Sequence, residues 1–388
     1  MYKVHCMNNI ATVGTDQLGD DYELTPELDD ANAILVRSAK LHEVEFPKTL
    51  LAIARAGAGV NNIPLERCAQ EGIVVFNTPG ANANAVKELV LAGMLLACRD
   101  IVGGIGWVHD NSDDPEVGKK AEKAKKQFAG HELAGKTLGV IGLGAIGANV
   151  ANAARALGMK VMGYDPYLSI NAAWSLDRSI RHVTDVNDIY AQADFITVHV
   201  PATDQTRGMI GRDAIARMKA GVVFVNYARD VLVDEQAMAE ALASGQVARY
   251  VTDFANPASA NMKNAIVTPH LGASTAEAED NCAIMAVNEL RDYIENGNVR
   301  NSVNFGAVDL GPIAADGRIA IFHKNVQGMI GSITQVLAET DLNIENMANK
   351  SRGDNAYTLL EVTGGLDDSI AERIAALDNV YRVRVITR

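Results

Sequence analysis

The chain has 388 residues, 48% of them hydrophobic, enough for two or three domains with substantial cores. Its net charge of −13 argues against nucleic acid as a main partner, and no apolar run is long enough to span a membrane. Four cysteines (Cys6, Cys68, Cys98, Cys282) lie far apart with no CxxC pair, which argues against a zinc or disulfide framework and predicts a reducing, cytoplasmic setting. The opening MYKVHCMNNI reads as a strand and lacks the basic start and cleavage site of a signal peptide. Short apolar runs then alternate with helical stretches. AILVRS, LLAIARAG and IVVFNTP come first; TLGVIGLG, KVMGYD, FITVHVP, VVFVNYA, RYVTDFA and AIVTPHL follow. Such alternation predicts parallel sheets with helices on both faces. Six strands end in a residue suited to a ligand: Thr78, Asp165, Pro201, Asn226, Asp253 and His270. Ligands of open α/β sheets sit beyond the carboxyl ends of the strands, so these six are predicted to converge on one cleft.

Two long helical segments, 83–100 and Ala276–Asn296, read as crossovers between domains. The predicted layout is discontinuous: 1–98 with 275–305 as one domain, and 99–274 as another. Residues 306–317, rich in Gly, Ala and Asp, read as a linker. Residues 318–388 read as a small α+β module of βαββαβ order. The lysine run at 119–126 is a solvated helix face, or, as a minority reading, a source of positive charge over an anionic substrate.

Residues 138–165 carry the most specific signal. Strand 138–141 leads into Gly142, Gly144 and Gly147 at G-x-G-x-x-G spacing; an Ala-rich helix and a second strand follow, ending at Asp165. The glycines serve the turn, the approach of a pyrophosphate, and close helix–strand packing; the helix N-terminus faces the phosphates. Asp165 accepts from a ribose and repels a 2′-phosphate, so NAD is favoured over NADP. An NAD site implies hydride transfer, which needs a cation for the substrate and an acid/base for its proton. Arg229, after strand VVFVN, suits the first role as a bidentate fork for a carboxylate. His270, after strand AIV, suits the second. His5, His42, His109, His131 and His182 share no ligand spacing, so no metal site is predicted.

These pieces resemble the D-isomer-specific 2-hydroxyacid dehydrogenase family. ILVRSAK, IARAGAGVNNI, VFNTPGANA, LGVIGLGAIG, HVPAT, NYARDVLVD, TDFANP and TPHLGAST occur in the family's order between residues 34 and 275. The resemblance is strongest to members acting on 3-phosphoglycerate, the first step of L-serine biosynthesis; reductases of glyoxylate or hydroxypyruvate, and non-catalytic NAD-sensing proteins, are the alternatives. It implies two Rossmann-like, doubly wound parallel-sheet domains, with the tail similar to an ACT domain. It implies Arg229 and His270 as catalytic residues. Arg37, Ser38, Lys40 and Arg55 would meet the substrate phosphate, and the backbone of Ala58, Gly59 and Val60 its carboxylate. Thr78, Ala145, Ile146, Asp165, Pro201, Thr206, Ala228, Asp253 and Gly272 would contact NAD, with Gly142, Gly144 and Gly147. Asp253 would accept from the nicotinamide carboxamide. The family's usual glutamate partner of the histidine is missing: Asn256 stands there, so His270 works unassisted, another acid serves, or the step differs. In the tail, HKNVQG (323–328) resembles the serine-binding first loop of ACT domains, though Gln327 replaces the usual proline. His323, Asn325 and Asn343 would hold serine as an effector between two tail modules, unless the tail only oligomerises. A homodimer or homotetramer is implied.

Overall fold

The computed structural model describes residues 1–387. Short apolar runs near the N-terminus form β1 (Tyr2–Cys6), β2 (Tyr22–Thr25), β3 (Ala33–Val36), β4 (Ala52–Arg55) and β5 (Val74–Asn77). They pair in parallel in the order β2-β1-β3-β4-β5. All four residues of β3, and three of four in β4 and β5, are buried, as sheets covered on both faces require.

Seven parallel strands follow: β6 (Thr137–Ile141), β7 (Lys160–Tyr164), β8 (Arg181–His182), β9 (Phe195–Val198), β10 (Val222–Asn226), β11 (Val247–Thr252) and β12 (Ala265–Val267). Their order is β12-β11-β10-β9-β6-β7-β8. Chain direction across the sheet reverses between β6 and β9, the switch point where doubly wound sheets open a crevice. Helix Ala83–Cys98 buries Val86, Val90, Met94 and Cys98 in this sheet's core, against Leu138, Val140 and Val251.

The tail forms β13 (Gly317–Lys324), β14 (Asn343–Arg352), β15 (Asn355–Thr363) and β16 (Val380–Thr387), an antiparallel sheet ordered β14-β15-β13-β16. Ile319, Ile321, Leu360 and Val362 face the module's own helices, Met329–Ala338 and Asp368–Ala375, through Ile333, Leu337, Ile370 and Ile374. Phe322, Tyr357, Leu359 and Ile386 share the other core, with the first sheet and helix Ala276–Asn296.

The chain thus divides into two units, Asn82–Thr275 and the remainder. Two features differ from the layout read in the sequence. The helix 83–98 packs with the second sheet, because its apolar stripe matches that core. Residues 306–317 are a packed strap: Val299 and Val308 exchange backbone hydrogen bonds of 2.7 and 2.8 Å, with Phe305 and Val308 buried. The fully buried Arg318 guanidinium donates to the carbonyls of Asn296, Leu310, Gly311 and Pro312 and pairs with Glu361 at 2.9 Å. Burial pushes the Glu361 carboxyl up, but donors from Ala314, Asn346 and Arg318 hold it below its ordinary range. The lysine run is a solvated face, with Lys119, Lys120 and Lys125 paired to Glu116, Asp114 and Glu122. Among the described residues no single helix is long and apolar enough to cross a membrane.

Candidate active site

The turn after β6 requires its glycines. Gly142 has φ +91°, and a Cβ there would lie 2.5 Å from the His199 carbonyl oxygen. A Cβ on Gly147 would run into the Gly142 carbonyl. Around Gly144 the space is open to 4 Å. Helix Ala145–Ala156 starts there with no side-chain cap, leaving its first-turn N–H groups for an anion. Asp165, at the end of β7, accepts from Leu143 N–H and Tyr167 N–H, each at 2.9 Å, which fixes its carboxylate beside the turn. Thr206 Oγ1 donates to the Pro201 carbonyl at 2.6 Å and accepts from Thr203 N–H, closing the loop after β9.

Beyond β10, the Asn226 side chain clamps the following turn. It accepts from Ala228 and Arg229 N–H at 3.1 and 3.3 Å and donates to the Arg229 carbonyl at 2.8 Å. Arg229 is left exposed, its guanidinium donating to the Ala228 carbonyl at 2.6 Å. Beyond β11, Asp253 is buried. One oxygen accepts from Gly272 N–H at 2.9 Å; the other has no partner among the described groups. Burial pushes its carboxyl up, against the pull of that N–H and of His270 and Arg229. His270 is exposed, at φ +28°, its N–H donating to the Asp253 carbonyl at 2.8 Å and its ring edge-on to Phe254 at 5.1 Å. Asn256 turns to another task. It caps helix Pro257–Asn261 through Ser259 and donates to Glu235. The carboxyl whose charge state responds to His270 is Asp253.

These residues fit a dinucleotide. The open glycine turn and uncapped helix suit a pyrophosphate, Asp165 suits a ribose, and the orphaned Asp253 oxygen suits a carboxamide N–H.

In the other unit, Arg37, Ser38 and Ala39 N–H groups all donate to Asn8 Oδ1 at 2.9–3.0 Å, which curls the loop after β3. Arg55, at the end of β4, donates through Nε to the Arg37 carbonyl at 3.1 Å. Thr78 Oγ1 accepts from Gly57 N–H at 2.8 Å, and Asn77 donates to the Ala58 carbonyl at 2.6 Å, bracing loop 57–60. The structure therefore brings Arg37, Ser38, Arg55, Ala58, Gly59, Val60 and Thr78 to one end of the first sheet, with Lys40 exposed beyond them. It brings Gly142, Gly144, Ala145, Ile146, Gly147, Asp165, Pro201, Thr206, Ala228, Arg229, Asp253, His270 and Gly272 to the carboxyl end of the second. Asn8 is a support that nothing in the sequence pointed to; Asn226, read there as a strand-end residue suited to a ligand, instead clamps the turn that carries Arg229.

The tail residues are not brought together within one copy. His323 is buried, with both ring nitrogens engaged by Thr358 and the Lys324 carbonyl. The strand register puts Asn325 and Asn343 at opposite ends of the sheet, about 25 Å apart at the rise of a strand. A site using both must draw them from two copies.

Residues 91–272 match the D-isomer specific 2-hydroxyacid dehydrogenase NAD binding domain. The chain is 39% identical over 291 residues to D-3-phosphoglycerate dehydrogenase of Methanocaldococcus jannaschii, covering 73% of this chain and 53% of that protein. It is 38% identical over 280 residues to hydroxypyruvate reductase of Thermotoga maritima, covering 69% and 86%. Among solved structures, NAD+-bound 3-phosphoglycerate dehydrogenase of Entamoeba histolytica matches with a TM-score of 0.62 at 28% identity, over 78% of this chain and 98% of that one. The chain belongs to the D-isomer specific 2-hydroxyacid dehydrogenase family, and its second unit carries the family's NAD-binding domain. It spans about half the length of the curated phosphoglycerate dehydrogenases it matches, such as those of Methanocaldococcus jannaschii and Archaeoglobus fulgidus.

Proposed function

We propose that this chain catalyses the NAD-dependent oxidation of 3-phosphoglycerate to 3-phosphohydroxypyruvate, the first step of L-serine biosynthesis. The observation that carries this reading is the pair Arg37 and Arg55, joined through the Arg37 carbonyl at the carboxyl ends of β3 and β4. On a chain of net charge −13, two arginines at the ends of neighbouring strands, beside a braced backbone loop, are a local answer to an anionic substrate. They would neutralise the phosphate, while loop 58–60 and Arg229 would hold the carboxylate. Arg229 also faces the developing carbonyl oxygen in this reading, and the His270 imidazole takes the hydroxyl proton. The chemistry the dinucleotide supplies when bound is hydride acceptance. In the same reading the chain works in the cytoplasm as a homo-oligomer, and serine is the candidate effector at paired tail modules.

A second reading is hydroxypyruvate reduction, favoured by the similarity to the Thermotoga maritima protein, of which this chain covers 86%. NADH consumption with 3-phosphohydroxypyruvate, hydroxypyruvate and glyoxylate at matched concentrations separates the two. A strong preference for the phosphorylated keto acid is expected. Equal or faster turnover of hydroxypyruvate would move the chain to the second reading.

A further inference from the structure

The guanidinium assigned to the substrate phosphate already has an anion. Arg37 Nη2 lies 2.7 Å from Glu279 Oε1, with the two side chains 41% and 43% exposed. Glu279 stands in the first turn of helix Ala276–Asn296, which is fixed by burying Cys282, Ala283, Ala286 and Val287 in the core of the first sheet. The Arg37 backbone is held on both sides, its N–H by Asn8 and its carbonyl by Arg55. The guanidinium is therefore the part of Arg37 that can change partner.

The same groups act on one buried thiol. Burial pushes Cys282 up; Thr78, Arg55 and Arg37 pull it down, and Glu279 pushes it up. Arg37, Arg55, Thr78 and Glu279 thus share one electrostatic neighbourhood at the end of the first sheet. Nothing in the proposed reaction uses Glu279.

We infer that Glu279 is a resident competitor for Arg37: it occupies the phosphate-binding guanidinium in the free protein, yields it to the substrate, and so sets how strongly a phosphoryl group counts in substrate choice. The inference rests on the phosphate reading of Arg37. A single carboxylate oxygen engages one nitrogen of a group with five donors. A phosphoryl group carries about −1.5 to −2 charge and three acceptor oxygens, so it can take the guanidinium from a monoanion. A neutral hydroxymethyl group cannot. Glu279 therefore weakens binding of phosphorylated substrates and leaves their unphosphorylated counterparts untouched.

The test uses the full chain and two variants, Glu279→Gln and Arg37→Ala, with circular dichroism to confirm folding. KM and kcat are measured for 3-phosphohydroxypyruvate and hydroxypyruvate, with inorganic phosphate as competitive inhibitor. Glu279→Gln is expected to lower KM for the phosphorylated substrate about fivefold, the upper range for an exposed ion pair, with kcat within about twofold. The inhibition constant of inorganic phosphate should fall in step, and KM for hydroxypyruvate should not move. Arg37→Ala should raise KM for the phosphorylated substrate alone. If Arg37→Ala behaves so but Glu279→Gln leaves that KM unchanged or higher, Glu279 is idle or merely positions Arg37; the inference is overturned and the phosphate reading stands. If Arg37→Ala keeps the preference for the phosphorylated substrate, the phosphate reading fails and the inference goes with it.

Discussion

His270 holds a positive backbone angle, φ +28°, uncommon for any residue but glycine, and it is tied there by its N–H to the Asp253 carbonyl. Strain of this kind gathers at functional sites, where the surrounding structure over-determines it. Asparagine tolerates positive φ, so His270→Asn removes the proton acceptor while sparing the turn. We expect kcat to fall by about 10²–10⁴-fold, the usual range for a general acid–base, with NAD+ affinity from tryptophan fluorescence within about twofold. A loss under about tenfold would mean that the proton leaves by another route. At this scale the sequence was legible where spacing carries the chemistry: three glycines, an acid after the next strand, an arginine and a histidine at strand ends. It was opaque where a side chain acts at long range. Asn8 holds the 37–39 loop from another strand end, and Glu279 reaches Arg37 from the far part of the chain. Neither leaves a local pattern. The departure at Asn256 was visible, but its task as a helix cap bonded to Glu235 was not.

At the scale of elements, the buried parallel strands were readable because four apolar residues in a row suit only a sheet covered on both faces. Helix Ala276–Asn296 was read to the residue. The short outer strand β8, Arg181–His182, was missed because its two exposed polar residues carry no hydrophobic signal. The strap 306–317 was misread because glycine, proline and aspartate mark a loop without saying whether it is packed; what packs it is Arg318. Helix Ala276–Asn296 also carries a titratable burden. Glu289 is pushed up to about 7 by burial, against one hydrogen bond from Asn301, and its second oxygen has no partner among the described groups. Its unfolded pKa is about 4.3, so the unfolded chain releases this proton first. Its stabilising contribution is complete below pH ~4.3 and is lost as pH rises toward 7. Glu289→Gln keeps the neutral form at every pH. Its advantage in unfolding free energy over the parent should therefore grow by about 2 kcal/mol between pH 5 and pH 8, read from urea midpoints. A difference that stays flat with pH would show that Glu289 is not desolvated as described.

For the whole molecule, the question is whether the tail is a cargo on a tether or part of a core. Phe322, Tyr357, Leu359 and Ile386 of the tail sheet share one cluster with Tyr293, Phe305 and Phe76. Arg382 and Arg384 donate to the carbonyls of Lys48, Leu50, Tyr293 and Ile294. The tail should therefore melt with the first sheet. Both tryptophans, Trp107 and Trp174, lie in the other unit, Asn82–Thr275, so fluorescence reports that unit alone while far-ultraviolet circular dichroism reports both. NAD+ at about 100 times its Kd should stabilise the fluorescent unit by about 2.7 kcal/mol, moving its midpoint upward by roughly 5–10 °C. Deleting the chain from residue 317 onward should do something different. It strips one side of the shared core and leaves Tyr293 and Phe305 facing water, each worth about 1.5–3 kcal/mol of burial, so the dichroism transition that fluorescence does not see should fall sharply or vanish. The fluorescent transition and its response to NAD+ should remain. If instead the deletion removes a separate transition and leaves the first sheet's midpoint in place, the tail folds alone and residues 306–317 act as the tether their composition implies.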